Sequence, residues 1–191
     1  MHPLLQKVRD FADNAHGDQT RKYSPERYIV HPVRVMELCQ KHTDSLPVLA
    51  AALLHDVLED TQVTRADLQR FLLAVMNEKD AAQTLNLVVE LTDVYTKARY
   101  PRWNRRKRKN NEAARIKKTS PDSQTIKYAD IIDNCREIVV QDPEFAGLFL
   151  FECKQLLMKI PLGAAALYNE AKETVAAGLV QVPNRFQNQK R

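Results

Sequence analysis

Apolar residues recur at helical spacing along almost all of this chain, and that period leaves little room for a sheet. Only four glycines occur in 191 residues, and no Asn-Gly or similar dipeptide separates alternating runs, so the usual hairpin signals are missing. Leu4, Leu5, Val8, Phe11, Ala12 and Ala15 predict a first helix ending near Gly17, followed by a loop over 18–30 around Pro25. His31-Pro32 opens a second helix, and Pro47 opens a third that runs through His55-Asp56. Thr64, with Asp67 three residues on, predicts a capped start before Leu68, Phe71, Leu72 and Val75. A long helix is expected from about Glu78 to Tyr95, then mixed helix and loop over 96–119. Ser120-Pro121 supplies an N-cap and a first-turn proline for a helix through Val140. Two closing helices are expected over 143–160 and 162–179. The expectation is an all-α bundle forming one domain over residues 1–180, with a polar, basic, flexible tail over 181–191. A chain of this length buries roughly 70% of its unfolded surface, enough to fold without staples.

His55-Asp56 is the anomaly in that pattern. The pair sits among Ala50, Ala51, Ala52, Leu53, Leu54, Val57 and Leu58. An imidazole and a carboxylate in such surroundings cost several kcal/mol unless they are paired or bound to a cation. Two further ligand-type residues lie in other segments: His31 before Pro32, and Asp130 in the run Ile126–Asn134. Two imidazoles and two carboxylates form a mixed nitrogen and oxygen set, which suits Mn²⁺, Fe²⁺ or Zn²⁺. Taken singly, His31 more often caps a helix than binds a metal, and Asp130 is more often a buried polar contact. Glu59 follows Asp56 by three residues and His55 by four, spacings that share a helix face. It therefore falls one turn beyond the pair, where hydrolysis needs a group to take a proton from the attacking water. Asp60 is the second candidate for that role. Asn134, four residues after Asp130, and Arg21-Lys22, in the loop before His31, offer hydrogen bonds and charge to a phosphate or a base.

The bulk composition narrows the partners. The formal net charge of +5 favours an anionic one, whether nucleotide, nucleic acid or phosphate. Cys39, Cys135 and Cys153 form an odd set without metal-binding spacing, as expected of reduced cysteines in a cytoplasmic protein. No apolar run reaches transmembrane length, and no N-terminal stretch resembles a signal peptide, so no membrane partner is expected. The stretch 102–118 holds Arg102, Arg105, Arg106, Lys107, Arg108, Lys109, Arg115, Lys117 and Lys118, with Trp103 among them. Such a run suits a nucleic-acid surface, a solvated helix face, or a field that draws an anionic substrate. In the last case its C-terminal residues Arg115, Lys117 and Lys118 are the expected contributors, because they lead into the Asp130 helix.

Four ordered segments resemble the HD-domain phosphohydrolases, and within them the stand-alone small hydrolases of the RelA/SpoT alarmone group. They are Ala12 through His16 and Gln19 to Arg21-Lys22, then Tyr28-Ile29-Val30-His31-Pro32, then His55-Asp56 through Glu59-Asp60-Thr61, and finally Lys127-Tyr128-Ala129-Asp130 through Asn134. The resemblance covers the first 140 residues. It implies an HD-domain helical bundle with His31, His55, Asp56 and Asp130 as ligands of Mn²⁺, with Zn²⁺ or Fe²⁺ as alternatives. It implies Glu59 and Asp60 at the reaction centre, Arg21 at the nucleobase, and Lys22, Asn134 and Thr61 as substrate contacts. The implied reaction removes pyrophosphate from the ribose 3′ position of (p)ppGpp, a nucleotide carrying a 3′-diphosphate. The same chemistry on (p)ppApp, or removal of the NADPH 2′-phosphate, is the alternative. The chain departs from the family pattern at Ser24-Pro25-Glu26-Arg27, at Asp133 and at Glu137.

Overall fold

Helix boundaries follow local signals at most ends. The computed structural model describes residues 2–182, and these form ten helices. α1 (Pro3–His16) stops at Gly17, whose φ of 56° lies in the left-handed region that glycine adopts without strain. Gln19 and Tyr28 pin the following loop through a backbone hydrogen bond of 2.9 Å. α2 (Val30–Gln40) carries His31 in its first turn. α3 (Leu46–Leu54) follows, then α4 (Val57–Asp60). α5 (Arg65–Val75) begins at the expected capping box, Thr64 with Asp67. α6 (Glu78–Leu91), α7 (Arg105–Ile116) and α8 (Pro121–Gln141) come next, and Ser120 caps α8 as expected. α9 (Pro143–Leu157) and α10 (Ala165–Gln181) close the chain. The fold is all-α; the single bridge Thr20–Arg27 is the only extended pairing among the described residues. The tail expected over 181–191 lies, beyond Val182, outside the described residues.

α3 occupies the centre. Pro47 through Leu54 are all buried, so this helix is apolar on every side and packs against α1, α2, α6 and α8. Ala50, Ala51 and Ala52 are completely covered, and their small side chains leave room for those neighbours. α8 is the longest helix and packs on α2, α9 and α10 as well. The core therefore places the α2 start, the α3 end and the middle of α8 side by side.

Two expected boundaries are corrected. The third helix does not run through the His-Asp pair; it ends at Leu54, and Asp56 (φ −96°, ψ −8°) starts α4 instead. Neighbouring residues on a continuous helix point about 100° apart. The break removes that restriction and lets both side chains face one point. The helix expected to reach Tyr95 ends at Leu91, because side chains from elsewhere take the next amides. Glu59 Oε2 accepts from Asp93 N–H (2.9 Å), and Glu112 Oε2 accepts from Val94 and Tyr95 N–H (3.0 and 2.9 Å).

Gly163 marks the closest approach of the α9–α10 turn to α8. Its N–H donates to the Tyr128 hydroxyl (3.1 Å), and Ala164 N–H donates to Thr125 Oγ1 (2.9 Å). A Cβ at Gly163 would lie 2.5 Å from Tyr128 Cε2 and 2.7 Å from the Thr125 nitrogen. Gly163→Ala should therefore lower stability by about 1–3 kcal/mol, an overpacking cost. An unfolding midpoint equal to that of the unaltered protein would contradict this.

Candidate active site

His31, His55, Asp56 and Asp130 meet at one point between α2, the α3–α4 break and α8. His55 Nε2 lies 3.0 Å from Asp56 Oδ2 and 3.8 Å from Asp130 Oδ1. His31 Nε2 lies 3.3 Å from Asp130 Oδ1 and 3.7 Å from Asp56 Oδ2. The two imidazoles are almost wholly buried, at 1% and 4% exposure. The donor atoms of His31, His55 and Asp56 all fall within 4.8 Å of one another, close enough for one cation.

The outer atoms of the imidazoles settle their orientation. His55 Nδ1 lies 2.8 Å from the Ala52 carbonyl, which can only accept, so Nδ1 carries a hydrogen. His31 Nδ1 lies 2.7 Å from Asp133 Oδ2, and Arg34 Nε lies 2.8 Å from the other oxygen of Asp133. Both Nε2 atoms thus turn inward, an arrangement that recurs around metal-binding histidines. His55 Nε2 is buried and, despite its nearness to Asp56, makes no hydrogen bond of sound geometry. A divalent cation would satisfy that orphaned nitrogen, so the residues present fit one.

The electrostatics agree. Burial alone would lower the His55 pKa, but the charge and proximity of Asp56, aided by Asp130, push it up to about 9. For His31, burial is likewise outweighed by Asp130 and Asp133, and the net direction is upward. Burial works against ionising Asp130, yet Lys127 and the two imidazoles hold it well below the usual carboxylate range. A cation binding here displaces protons held by these imidazoles.

Glu59 is an exposed residue of α4, with its carboxyl directed at Asp93 N–H. Protein crowding around that carboxyl, then the charges of Asp93 and Asp56, push its pKa up to about 7 against the opposing Asp93 amide and Lys127. Asp60 also lies on α4 and receives a 3.2 Å contact from the Tyr28 hydroxyl. Burial and the Asp56 charge raise its pKa. Asn134 joins the site: its Nδ2 donates to Asp130 Oδ1 (2.6 Å), and its Oδ1 accepts from Arg21 Nη2 (3.0 Å). Arg21 is 8% exposed, bonded to Glu137 through Nε (3.1 Å) and packed over the Tyr28 ring. Lys22 points elsewhere, toward the Tyr23 ring and Asp142. Thr61 hydrogen-bonds the Val57 carbonyl (2.7 Å) and the Val63 amide (3.1 Å), closing α4.

Several participants escape sequence reasoning. Tyr28 donates to Asp56 Oδ2 (2.7 Å), the oxygen that faces His55. Asp133 and Glu137, noted only as departures from a pattern, prove to hold His31 and Arg21. Part of the basic stretch is taken up by partners within the fold. Arg115 is engaged by Glu112 and the Glu90 carbonyl, so it braces the fold. Lys109, also on α7, lies 3.6 Å from Asp93, whose amide binds Glu59.

A helical bundle that gathers two imidazoles and two carboxylates around a buried, inward-facing nitrogen pair has the layout of a His–Asp metal-site domain. The chain belongs to the HD domain family, which it matches over residues 9–148. It is 33% identical over 138 residues to guanosine-3′,5′-bis(diphosphate) 3′-pyrophosphohydrolase MESH1 of Mus musculus, covering 70% of this chain and 69% of that one. It is 31% identical over 164 residues to a probable guanosine-3′,5′-bis(diphosphate) 3′-pyrophosphohydrolase of Mycoplasma pneumoniae; the match covers 82% of this chain but spans only 21% of that longer relative. The solved structure of a metazoan ortholog of SpoT that hydrolyzes ppGpp shares the fold, with a TM-score of 0.76, 24% identity, and coverage of 94% of this chain and 98% of that one.

Proposed function

We propose that this chain hydrolyses guanosine alarmones, (p)ppGpp, at the ribose 3′ position and releases pyrophosphate with GDP or GTP. The observation that carries the reading is the convergence of His31, His55, Asp56 and Asp130 with an orphaned Nε2 at its centre. The names of the relatives supply the substrate class. These four residues hold the cation, and the mixed nitrogen and oxygen set favours Mn²⁺ over a thiolate-preferring metal, with Zn²⁺ and Fe²⁺ as alternatives. When bound, such an ion supplies Lewis acidity to a phosphoryl oxygen and makes water easier to deprotonate.

The remaining chemistry belongs to the chain. Glu59 takes a proton from the attacking water, whose oxygen joins the phosphorus attached to the ribose. The bond from that phosphorus to the 3′ oxygen breaks, pyrophosphate departs, and the 3′ oxygen takes up a proton. Asp60 is held beside Asp56 by Tyr28 and is the reserve base. In this reading Asn134, bonded to Asp130, and Arg21, bonded to Asn134 and Glu137, contact the nucleoside, and Lys22 and Thr61 are the further substrate contacts. The three buried free thiols suit a reducing compartment, and the reading places the enzyme in the cytoplasm. Among the described residues no helix is long and apolar enough to cross a membrane.

A nucleic-acid surface on α7 is the weaker reading. Arg105 pairs with Glu152 (2.7 Å), Arg108 with the Trp103 carbonyl, and Lys109 with Asp93. Trp103 stacks on Tyr95 and carries Lys107 on its ring, so the aromatic is already occupied. The Glu137–Arg21 pair bears on the choice of base. Turnover of ppGpp, ppApp and NADPH side by side, with Mn²⁺, tests it: preference for ppGpp is expected, and preference for either other nucleotide would overturn the guanosine assignment.

A further inference from the structure

Lys127 lies one turn before Asp130 on α8, and beyond helping to keep Asp130 ionised it has no part in the proposed reaction. Its ammonium is 2.7 Å from Asp130 Oδ2, and its side chain is only 21% exposed. The two oxygens of Asp130 are employed differently. Oδ1 faces both imidazole Nε2 atoms and accepts from Asn134 Nδ2 at 2.6 Å. Oδ2 is engaged by Lys127. Turning the carboxylate would break both hydrogen bonds, so Lys127 and Asn134 clamp it in one rotation. The same ammonium is attracted by Asp93, beyond α6, and by Asp56, at the α3–α4 break, and its charge reaches Glu59. It is thus a cation set among four carboxylates drawn from three segments.

We propose that Lys127 is a positioning residue of the hydrolytic centre: by engaging Asp130 through Oδ2, it presents a single oxygen, Oδ1, to the two imidazoles. A carboxylate freed from that hold can turn, or offer both oxygens, and the cation would then sit in altered surroundings. A lysine present only to balance buried charge would affect stability and leave the cation's surroundings unchanged. The inference rests on the metal-site reading above and is independent of which nucleotide is cleaved.

The test uses Co²⁺ alone as probe, because its visible absorption responds to the number and arrangement of its ligands. The full chain, K127M and K127R are titrated with Co²⁺, and their unfolding midpoints are recorded. Turnover with Mn²⁺ and ppGpp follows. K127M should shift the absorption bands and lose about 10- to 100-fold in Co²⁺ affinity or kcat, the usual cost of removing a group that orients a ligand. KM should stay within about threefold, because no substrate contact is removed. K127R, which keeps the charge and a donor, should restore the bands and most of kcat. K127Q, which keeps a donor of similar bulk without the charge, carries the test should K127M not fold. A lysine-free variant with the bands and affinity of the unaltered protein would overturn the inference. A raised KM with unchanged kcat would overturn it too, by making Lys127 a substrate contact. An unaltered protein that binds no Co²⁺ would remove the metal-site reading itself.

Discussion

Asp56→Asn should remove bound metal and turnover together. Asp56 Oδ2 is the oxygen closest to His55 Nε2, at 3.0 Å, and also faces His31 at 3.7 Å. The carboxylate is held ionised against the cost of burial, chiefly by the charge of His55. An amide of the same shape keeps the space filled but withdraws the negative charge that offsets a divalent cation. Tyr28 can still donate to the amide oxygen, so the local packing has a reason to survive. The check is metal content after dialysis, measured by elemental analysis alongside pyrophosphate release. Exhaustive chelation of the unaltered protein should produce the same loss, and restoring Mn²⁺ should reverse it. Retained metal and retained turnover in the Asn protein would exclude Asp56 from the site.

Glu59→Gln should separate the two readouts that Asp56→Asn joins. Glu59 lies on α4, outside the four converging residues, and its carboxyl contacts the Asp93 amide. Metal content should therefore be unchanged, while kcat falls roughly 10²–10⁴-fold, as expected for loss of a general base. The groups that face it are Asp93 and Asp56, which raise its pKa, and Lys127, which lowers it. The carboxyl is displaced upward from its ordinary 4.5 to about 7, and only its ionised form accepts a proton. The rate should thus climb with pH up to a limb no higher than about 7, since a bound cation can only favour the ionised form, and then level off. That limb should disappear in the Gln protein. Normal turnover there would pass the role to Asp60.

Most helices can be read from the chain because their signals are local. Thr64 with Asp67 and Ser120-Pro121 mark starts that the structure shares, and Gly17 marks an end. The break at His55-Asp56 could not be read. The residues from Ala50 to Leu58 contain neither glycine nor proline, and the helix breaks where two adjacent side chains reach one point. The end of α6 at Leu91 is invisible for a similar reason, since Glu59 and Glu112 capture its would-be helical amides from 34 and 17–18 residues away. The converging residues carry their signal in residue type, which is rare in apolar helices. Their supports do not. Asp133 meets His31 across 102 residues, and Glu137 meets Arg21 across 116. The basic stretch misleads because counting cations omits their partners; Glu152, which holds Arg105, lies 47 residues on.

The central claim is that this site cleaves one bond, between the ribose 3′ oxygen and its phosphorus, with the diphosphate leaving whole. The most direct measurement is product analysis of ppGpp incubated with the Mn²⁺-loaded protein, by ion-exchange separation of nucleotides and phosphates. The account predicts GDP and intact pyrophosphate in equal amounts, and nothing after chelation. Orthophosphate released stepwise, or ppGpp recovered uncut by the metal-loaded protein, would contradict it.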